Sequence, residues 1–228
     1  MRSCIKMPAL TLAIVILAAA SSQARAGTQL LKVCRQITSK VSLDGSLEEW
    51  KAAAAIDTEK EGKINVIRNN KDDLSAVAYT LWDKGNFYLA LSVKDDIHKN
   101  DAAGGDIWSG YSVQFAFDPT PDDPNDIFND YEFGMALTKQ GTVIWRWAPA
   151  MGRVNAAKAC IVHRGGTTVY ELQLPFTEMN FVPARDKQLG FTFAVNEDDG
   201  KGWCGWLEWT PGICGYKDSI LFGRLILR

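Results

Sequence analysis

Little in this sequence supplies the groups that nucleophilic catalysis needs. Its 228 residues contain two histidines, His98 and His163, and no Gly-x-Ser-x-Gly. Neither a Ser-His-Asp nor a Cys-His site therefore has a local candidate. Glycosidase chemistry asks only for two carboxylates at a suitable separation, and 27 acidic residues offer pairs without singling one out. The five cysteines form no C-x-x-C pair, which argues against a four-thiolate metal site. No stretch longer than about ten residues carries a helical stripe. The longest apolar run, Met7–Ala20, has 14 residues, too few to span a membrane.

That run has another meaning. Arg2 and Lys6 precede it and Ala24-Arg25-Ala26 follows, the layout of a secretory signal peptide cleaved after Ala26. The expected organisation is a leader over 1–26 and one domain over 27–228, secreted or periplasmic. Cys4 lies upstream of the apolar run, so it leaves with the leader and is no lipid anchor. Removal of 26 residues carrying three basic and no acidic side chains leaves 202 residues and moves the net charge from −2 to −5. A mildly acidic surface argues against nucleic acid or anionic membrane as partner. Four cysteines remain, and in an exported chain they read as two disulfides with three possible connectivities. Cys204 and Cys214 flank one short Gly-rich segment, which favours that pair and leaves Cys34–Cys160.

Period-two alternation dominates the rest. In Asn86–Lys94, Phe87, Leu89, Leu91 and Val93 share one face. Tyr111–Asp118 groups Val113, Phe115 and Phe117 and turns Gln114 the other way; Thr167–Pro175 groups Tyr170, Leu172 and Leu174; Leu189–Asn196 groups Phe191, Phe193 and Val195. Weaker strands fit Ala76–Trp82, Tyr131–Thr138, Thr142–Ala148, Cys160–His163 and Phe222–Leu227, and Ser46–Ala55 fits a short helix capped by Ser46. Gly, Asp, Asn and Pro punctuate the intervals. The expected fold class is all-β, a single antiparallel β-sandwich.

Two residue classes are concentrated. Asp95, Asp96, Asp101 and Asp106 crowd one segment, Asp118, Asp122, Asp123, Asp126 and Asp130 a second, and Glu197, Asp198 and Asp199 a third. Such loops can hold calcium through oxygen ligands, with Asp95 and Asp96 foremost; no EF-hand spacing occurs, and Asp is also a common turn former. Eight tryptophans exceed the needs of a small core, because a buried indole N–H requires a partner. Trp50 and Trp82 sit in core-like contexts. Trp108 lies in a loop of small and polar residues, and Trp203, Trp206, Trp209 and Tyr216 cluster in the Gly-rich segment near the end. Flat rings on rigid loops suit a sugar, whose C–H face packs on the ring while polar neighbours take its hydroxyls; a loop anchor folded onto the core is the alternative for Trp108.

Five motifs in order, Leu43-Asp44-Gly45…Glu49-Trp50, Leu81-Trp82-Asp83…Phe87-Tyr88-Leu89-Ala90, Val93-Lys94-Asp95-Asp96, Trp108-Ser109-Gly110-Tyr111-Ser112-Val113-Gln114-Phe115…Asp118 and Lys217-Asp218…Phe222-Gly223-Arg224-Leu225, resemble family 9 carbohydrate-binding modules. The resemblance implies a DOMON-like, non-catalytic sugar-binding β-sandwich that often holds calcium and accompanies enzymes of plant-polysaccharide breakdown. It implies a sugar stacked between Trp108 and Tyr216, hydrogen-bonded by Gln114 and supported by Trp206 and Lys217. Family binders carry Trp at the position of Tyr216, tend to have Glu at that of Gln114 and Asp at that of Tyr111, and can have a sugar-contacting Arg near Gly134. The implied partners are xylan- or cellulose-type chains and a separate glycoside hydrolase. DOMON-like sandwiches also occur as b-type cytochromes, for which His98, His163, Met135, Met151 and Met179 are the available axial ligands. A structural or interaction sandwich with a degenerate pocket is the third reading.

Overall fold

The computed structural model describes residues 30–61, 64–67, 74–121 and 130–228. The expected leader with Cys4, and Asp122, Asp123 and Asp126, lie outside the described residues. Strands in chain order are β1 (Leu31–Gln36), β2 (Ala55–Asp57), β3 (Ile64–Asn65), β4 (Ser75–Trp82), β5 (Asn86–Lys94), β6 (Ser112–Asp118) and β7 (Tyr131–Thr138). There follow β8 (Gly141–Ala148), β9 (Gly152–Arg153), β10 (Lys158–Arg164), β11 (Thr167–Pro175), β12 (Gln188–Asp198), β13 (Trp203–Glu208) and β14 (Gly223–Leu227).

Strands sort as β10-β11-β5-β4-β1-β14-β12-β6-β7-β8-β9, with β2 beside β4, β13 beside β12 and β3 beside β13. Most pairs are antiparallel, as the alternation requires. The exception corrects the purely antiparallel expectation: β1 runs parallel to both β4 and β14. Parallel neighbours need long crossovers, and the chain between β1 and its two partners supplies them. One curled mixed sheet results, whose halves meet through β1.

The two halves face each other across the main core. Phe87 from β5 packs edge-on against Phe117 from β6 at 5.0 Å between centroids and against Phe191 from β12 at 5.7 Å. Phe87, Leu89, Leu91, Val93, Val113, Phe115, Phe117, Tyr170, Leu172, Leu174, Phe191, Phe193 and Val195 all belong to this core. Burying one such side chain contributes about 1.5–3 kcal/mol, so a one-residue register slip would expose the whole set. Trp50 and Trp82 are buried as expected. A smaller cluster behind β5 holds Trp50 with Tyr88 and Ala90.

Three expectations change. Over Ser46–Ala55 only a 3-10 turn forms, Glu49–Ala52, because the flanking chain is tied to a strand: the Glu171 carboxylate accepts from Asp44 N–H (2.8 Å), Gly45 N–H (2.6 Å) and Trp50 Nε1–H (3.0 Å). The Gly-rich segment near the end contains a strand, β13, in which Gly205 has φ +151° and would place a Cβ 2.6 Å from the Val66 carbonyl oxygen. All four described cysteines are free. Cys34 on β1 and Cys160 on β10 stand four strand positions apart in the sheet, about 19 Å at the usual strand spacing and far beyond disulfide reach. Cys204 packs in the main core, whereas Cys214 packs with Ala116, Ile213 and Phe222 in a separate cluster.

Candidate functional site

On the outer face of β6, β7, β12 and β13, away from the main core, lies a cavity of about 490 Å³. Its wall includes Trp108, Trp147, Trp203, Trp206 and Tyr216, and its polar lining is Gln114, Glu132, Asn196 and Lys217. All five residues expected at the site, Trp108, Tyr216, Gln114, Trp206 and Lys217, meet there. Trp203, grouped with the terminal aromatics by sequence, joins them, and Trp147, Asn196 and Glu132 are additions from the structure. Trp209, grouped with the terminal aromatics by sequence, instead stacks on Phe193 in the core at 6.2 Å. In β13, Leu207 is core-facing, and the chain turns inward again at Trp209.

Each aromatic is held by a different device. The loop bearing Trp108 is a 3-10 turn over Gly104–Ser109 whose anchor is Ile107, fully buried against Ala136 and Val143. Asn100 Nδ2 donates to the carbonyls of Ile107 (2.7 Å) and Tyr111 (3.1 Å), and Trp147 Nε1–H donates to that of Gly105 (2.8 Å). With Ile107 as plug, Trp108 stays 42% exposed, so its ring is displayed and is not itself the loop anchor. It meets Trp203 edge-on at 6.0 Å, and Trp203 stacks on Trp206 at 5.8 Å. The segment bearing Tyr216 is pinned by buried Glu208, whose Oε1 accepts from Ile213 N–H (2.8 Å) and Cys214 N–H (3.1 Å). Tyr216 is 59% exposed.

The polar lining is one connected network. Trp203 Nε1–H donates to Asn196 Oδ1 (3.2 Å), Asn196 Nδ2 to Gln114 Oε1 (2.8 Å), Gln114 Nε2 to Glu132 Oε1 (3.1 Å), and Lys217 Nζ to the same Glu132 oxygen (2.7 Å). Gln114 thus keeps amide hydrogen-bonding capacity for a ligand while its orientation is fixed at both ends. Tyr111 is not part of the cavity; it is fully buried, and burial raises its hydroxyl pKa far above the usual phenol value. Gly134 sits under the Trp147 ring, where a Cβ would come within 2.4 Å of it, so an arginine there is incompatible with Trp147 as placed.

Metal and haem readings meet different geometry. Asp95 is buried, but Asp96 is exposed, and the structure sets Glu197 rather than Asp96 with Asp95. Glu197 is buried beside Asp95, and the Asp198 backbone N–H is its one stabilising neighbour. Burial, and next the neighbouring Asp95 charge, push its pKa up to about 9. Ligand atoms of Glu197, Asp199 and Cys204 lie within 4.8 Å of one another. Carboxylates brought together at partly or fully buried positions fit a hard divalent cation, whereas Cys204, pushed up to about 11 by burial, offers a neutral thiol. Three further acids serve the chain itself: Asp118 and Asp198 accept from backbone N–H groups in their own turns, and Asp101 pairs with Lys139. Haem does not fit. His98 and His163 stand in ring contact, 5.4 Å between centroids, with both Nδ1 atoms on Thr168 Oγ1; Met135 and Met179 are sealed in the core and Met151 is exposed.

Compared with known families, residues 43–228 match the model described as carbohydrate family 9 binding domain-like. A family 9 carbohydrate-binding module from Caldicellulosiruptor kristjanssonii, solved with cellotriose, superposes with a TM-score of 0.67 at 15% identity, covering 87% of this chain and 93% of that one. Its complex with glucose gives 0.64 at 15% identity, covering 87% and 95%. At such identity the likeness is one of fold. No curated protein matches the chain.

Proposed function

We propose, from the premise that this chain belongs to the carbohydrate family 9 binding domain-like family, that it is a non-catalytic sugar-binding module. The observation that carries the reading is the coincidence of five aromatic rings and a preorganised amide–carboxylate network around one cavity. Trp108 and Tyr216 stack the sugar ring, Gln114 hydrogen-bonds its hydroxyls, and Trp206 and Lys217 support them. The structural relatives, solved with cellotriose and glucose, make β-glucan and xylan chains the first ligands to try. The leader-like sequence over 1–26 supports export, and with it a role beside a separate glycoside hydrolase in polysaccharide breakdown. A structural calcium held by Asp95 and Glu197 belongs to the same reading.

For a disaccharide of about two dozen heavy atoms at roughly −0.3 kcal/mol each, the expected Kd is about micromolar to tens of micromolar. Isothermal titration with cellobiose and xylobiose tests this. Saturable heat that Trp108→Ala removes, with Tm held within about 2 °C because the ring is exposed, is the expected result. Equal binding by the variant, or no heat from the native protein with any glucan or xylan oligosaccharide, overturns the reading.

A further inference from the structure

Beyond the Glu132–Lys217 pair lies a second cavity of about 330 Å³. The pair lines both cavities, so the two spaces share a wall made of two side chains. Tyr131, Pro149 and Phe222 give the second cavity its apolar lining; Asp130, Asp218 and Ser219, with Glu132, give it polar groups. An aromatic ring beside carboxylates is again the chemistry of a hydroxyl-rich ring ligand.

The wall between the cavities is weakly held. Lys217 Nζ stands 2.7 Å from Glu132 Oε1, yet the lysine side chain is 62% exposed while that of glutamate is 12% exposed. An ion pair open to water on its cationic partner's side contributes little, and the four-carbon stem of lysine is flexible. Glu132 is fixed from below by Gln114 Nε2, so Lys217 is the half that can move.

We propose that the two cavities form one binding groove with Lys217 as a movable partition, and that the second cavity receives a further glycosyl unit of the same chain. This rests on the sugar-binding reading of the first cavity. The lining also sets the charge of that unit. Glu132 and Asp218 oppose one ammonium, Lys217, in that lining. A uronate carboxylate there meets net repulsion, whereas a neutral hexose or pentose finds hydrogen-bond acceptors for its hydroxyls.

The test is titration of the purified protein with cellobiose, cellotriose and cellotetraose. A further ring contact that fills the second cavity tightens binding by about tenfold over cellobiose. Ser219→Trp, which fills that cavity from a partly exposed position, should bind cellotetraose only as well as the native protein binds cellobiose. Xylotetraose should bind more tightly than the same chain carrying a glucuronic acid side group. Saturable binding of cellobiose with no gain on lengthening overturns the second cavity while leaving the first intact. No binding of any of these sugars removes the underlying reading instead. Equal affinity for the glucuronic-acid-bearing chain overturns the charge selection.

Discussion

The ring of Trp147 lies across the α-carbon of Gly134, so close that a Cβ at 134 would fall 2.4 Å from its Cη2 and 2.5 Å from its Cζ3. Only glycine leaves room for the indole, and the indole in turn donates to the Gly105 carbonyl at 2.8 Å, tying down the loop that displays Trp108. Gly134→Ala should therefore displace the ring, cost about 1–3 kcal/mol by overpacking and weaken sugar binding through Trp108. Urea denaturation and titration calorimetry read both effects. Because the clash needs both partners, Gly134→Ala should cost much less in a Trp147→Ala background. Additive costs would show that the two residues do not interact.

Gln114 donates to Glu132 at 3.1 Å, which gives a physical reason for an amide at 114 where family binders tend to have a carboxylate. Gln114→Glu would set two carboxylates at hydrogen-bond distance, and like charges that close cannot both ionise without cost. Affinity should fall about tenfold at pH 7, equivalent to ~1.4 kcal/mol. As pH drops toward 5 the shared proton lets one carboxyl donate as the amide did, so binding by the variant should recover relative to the native protein. A loss that is independent of pH would mean the amide acts through shape alone.

The strands of β5, β7 and β11 were legible to the residue, since the large apolar side chains of each recur with period two and turn signals bound them. The curled closure was not, because it depends on β1, a short strand with an exposed-buried pattern that pairs parallel on both sides. At the site, Trp108 and Tyr216 stood out because they sit among glycines and polar residues. Trp147 carried no such signal: it lies in an alternating strand and reaches the cavity only because residue 134 on the next strand lacks a side chain. The disulfide expectation failed because cysteine count and spacing contain no information about which sheet face a thiol occupies, and Cys204 and Cys214 pack in different clusters.

Leu43-Asp44-Gly45…Trp50 proves to be a clamp on Glu171, not part of the cavity. Three donors converge on its two oxygens, and glutamine offers only one acceptor, so Glu171→Gln should cost about 1–3 kcal/mol. Burial, partly offset by those hydrogen bonds, raises the Glu171 pKa above its ordinary 4.5. A carboxyl raised on folding contributes stability that is complete below its unfolded pKa and is lost as pH rises through the folded value. The advantage of native protein over Glu171→Gln should thus be largest at acid pH, shrink as pH rises past 4.5, and level off above the folded pKa. Denaturation curves at successive pH values measure it; an advantage that grows with pH would refute the assigned direction.

Glu197 and Asp95 give the structural-cation reading its sharpest consequence. Two buried carboxylates that share a site are mutually repulsive without a cation and become its ligands with one. Calcium at a hundredfold excess over its Kd stabilises the folded state by ~2.7 kcal/mol. That corresponds to a rise in Tm of about 5–10 °C for a domain of this size. Adding calcium after chelation should restore it, and the response should vanish in Glu197→Gln and Asp95→Asn. Asp96→Asn, at an exposed position, should keep the response. Removal of a carboxyl whose ionisation is opposed by burial and by Asp95 should also leave Glu197→Gln more stable than the native protein in chelator, although less stable in calcium. A calcium response that survives Glu197→Gln would place the ion elsewhere in the molecule.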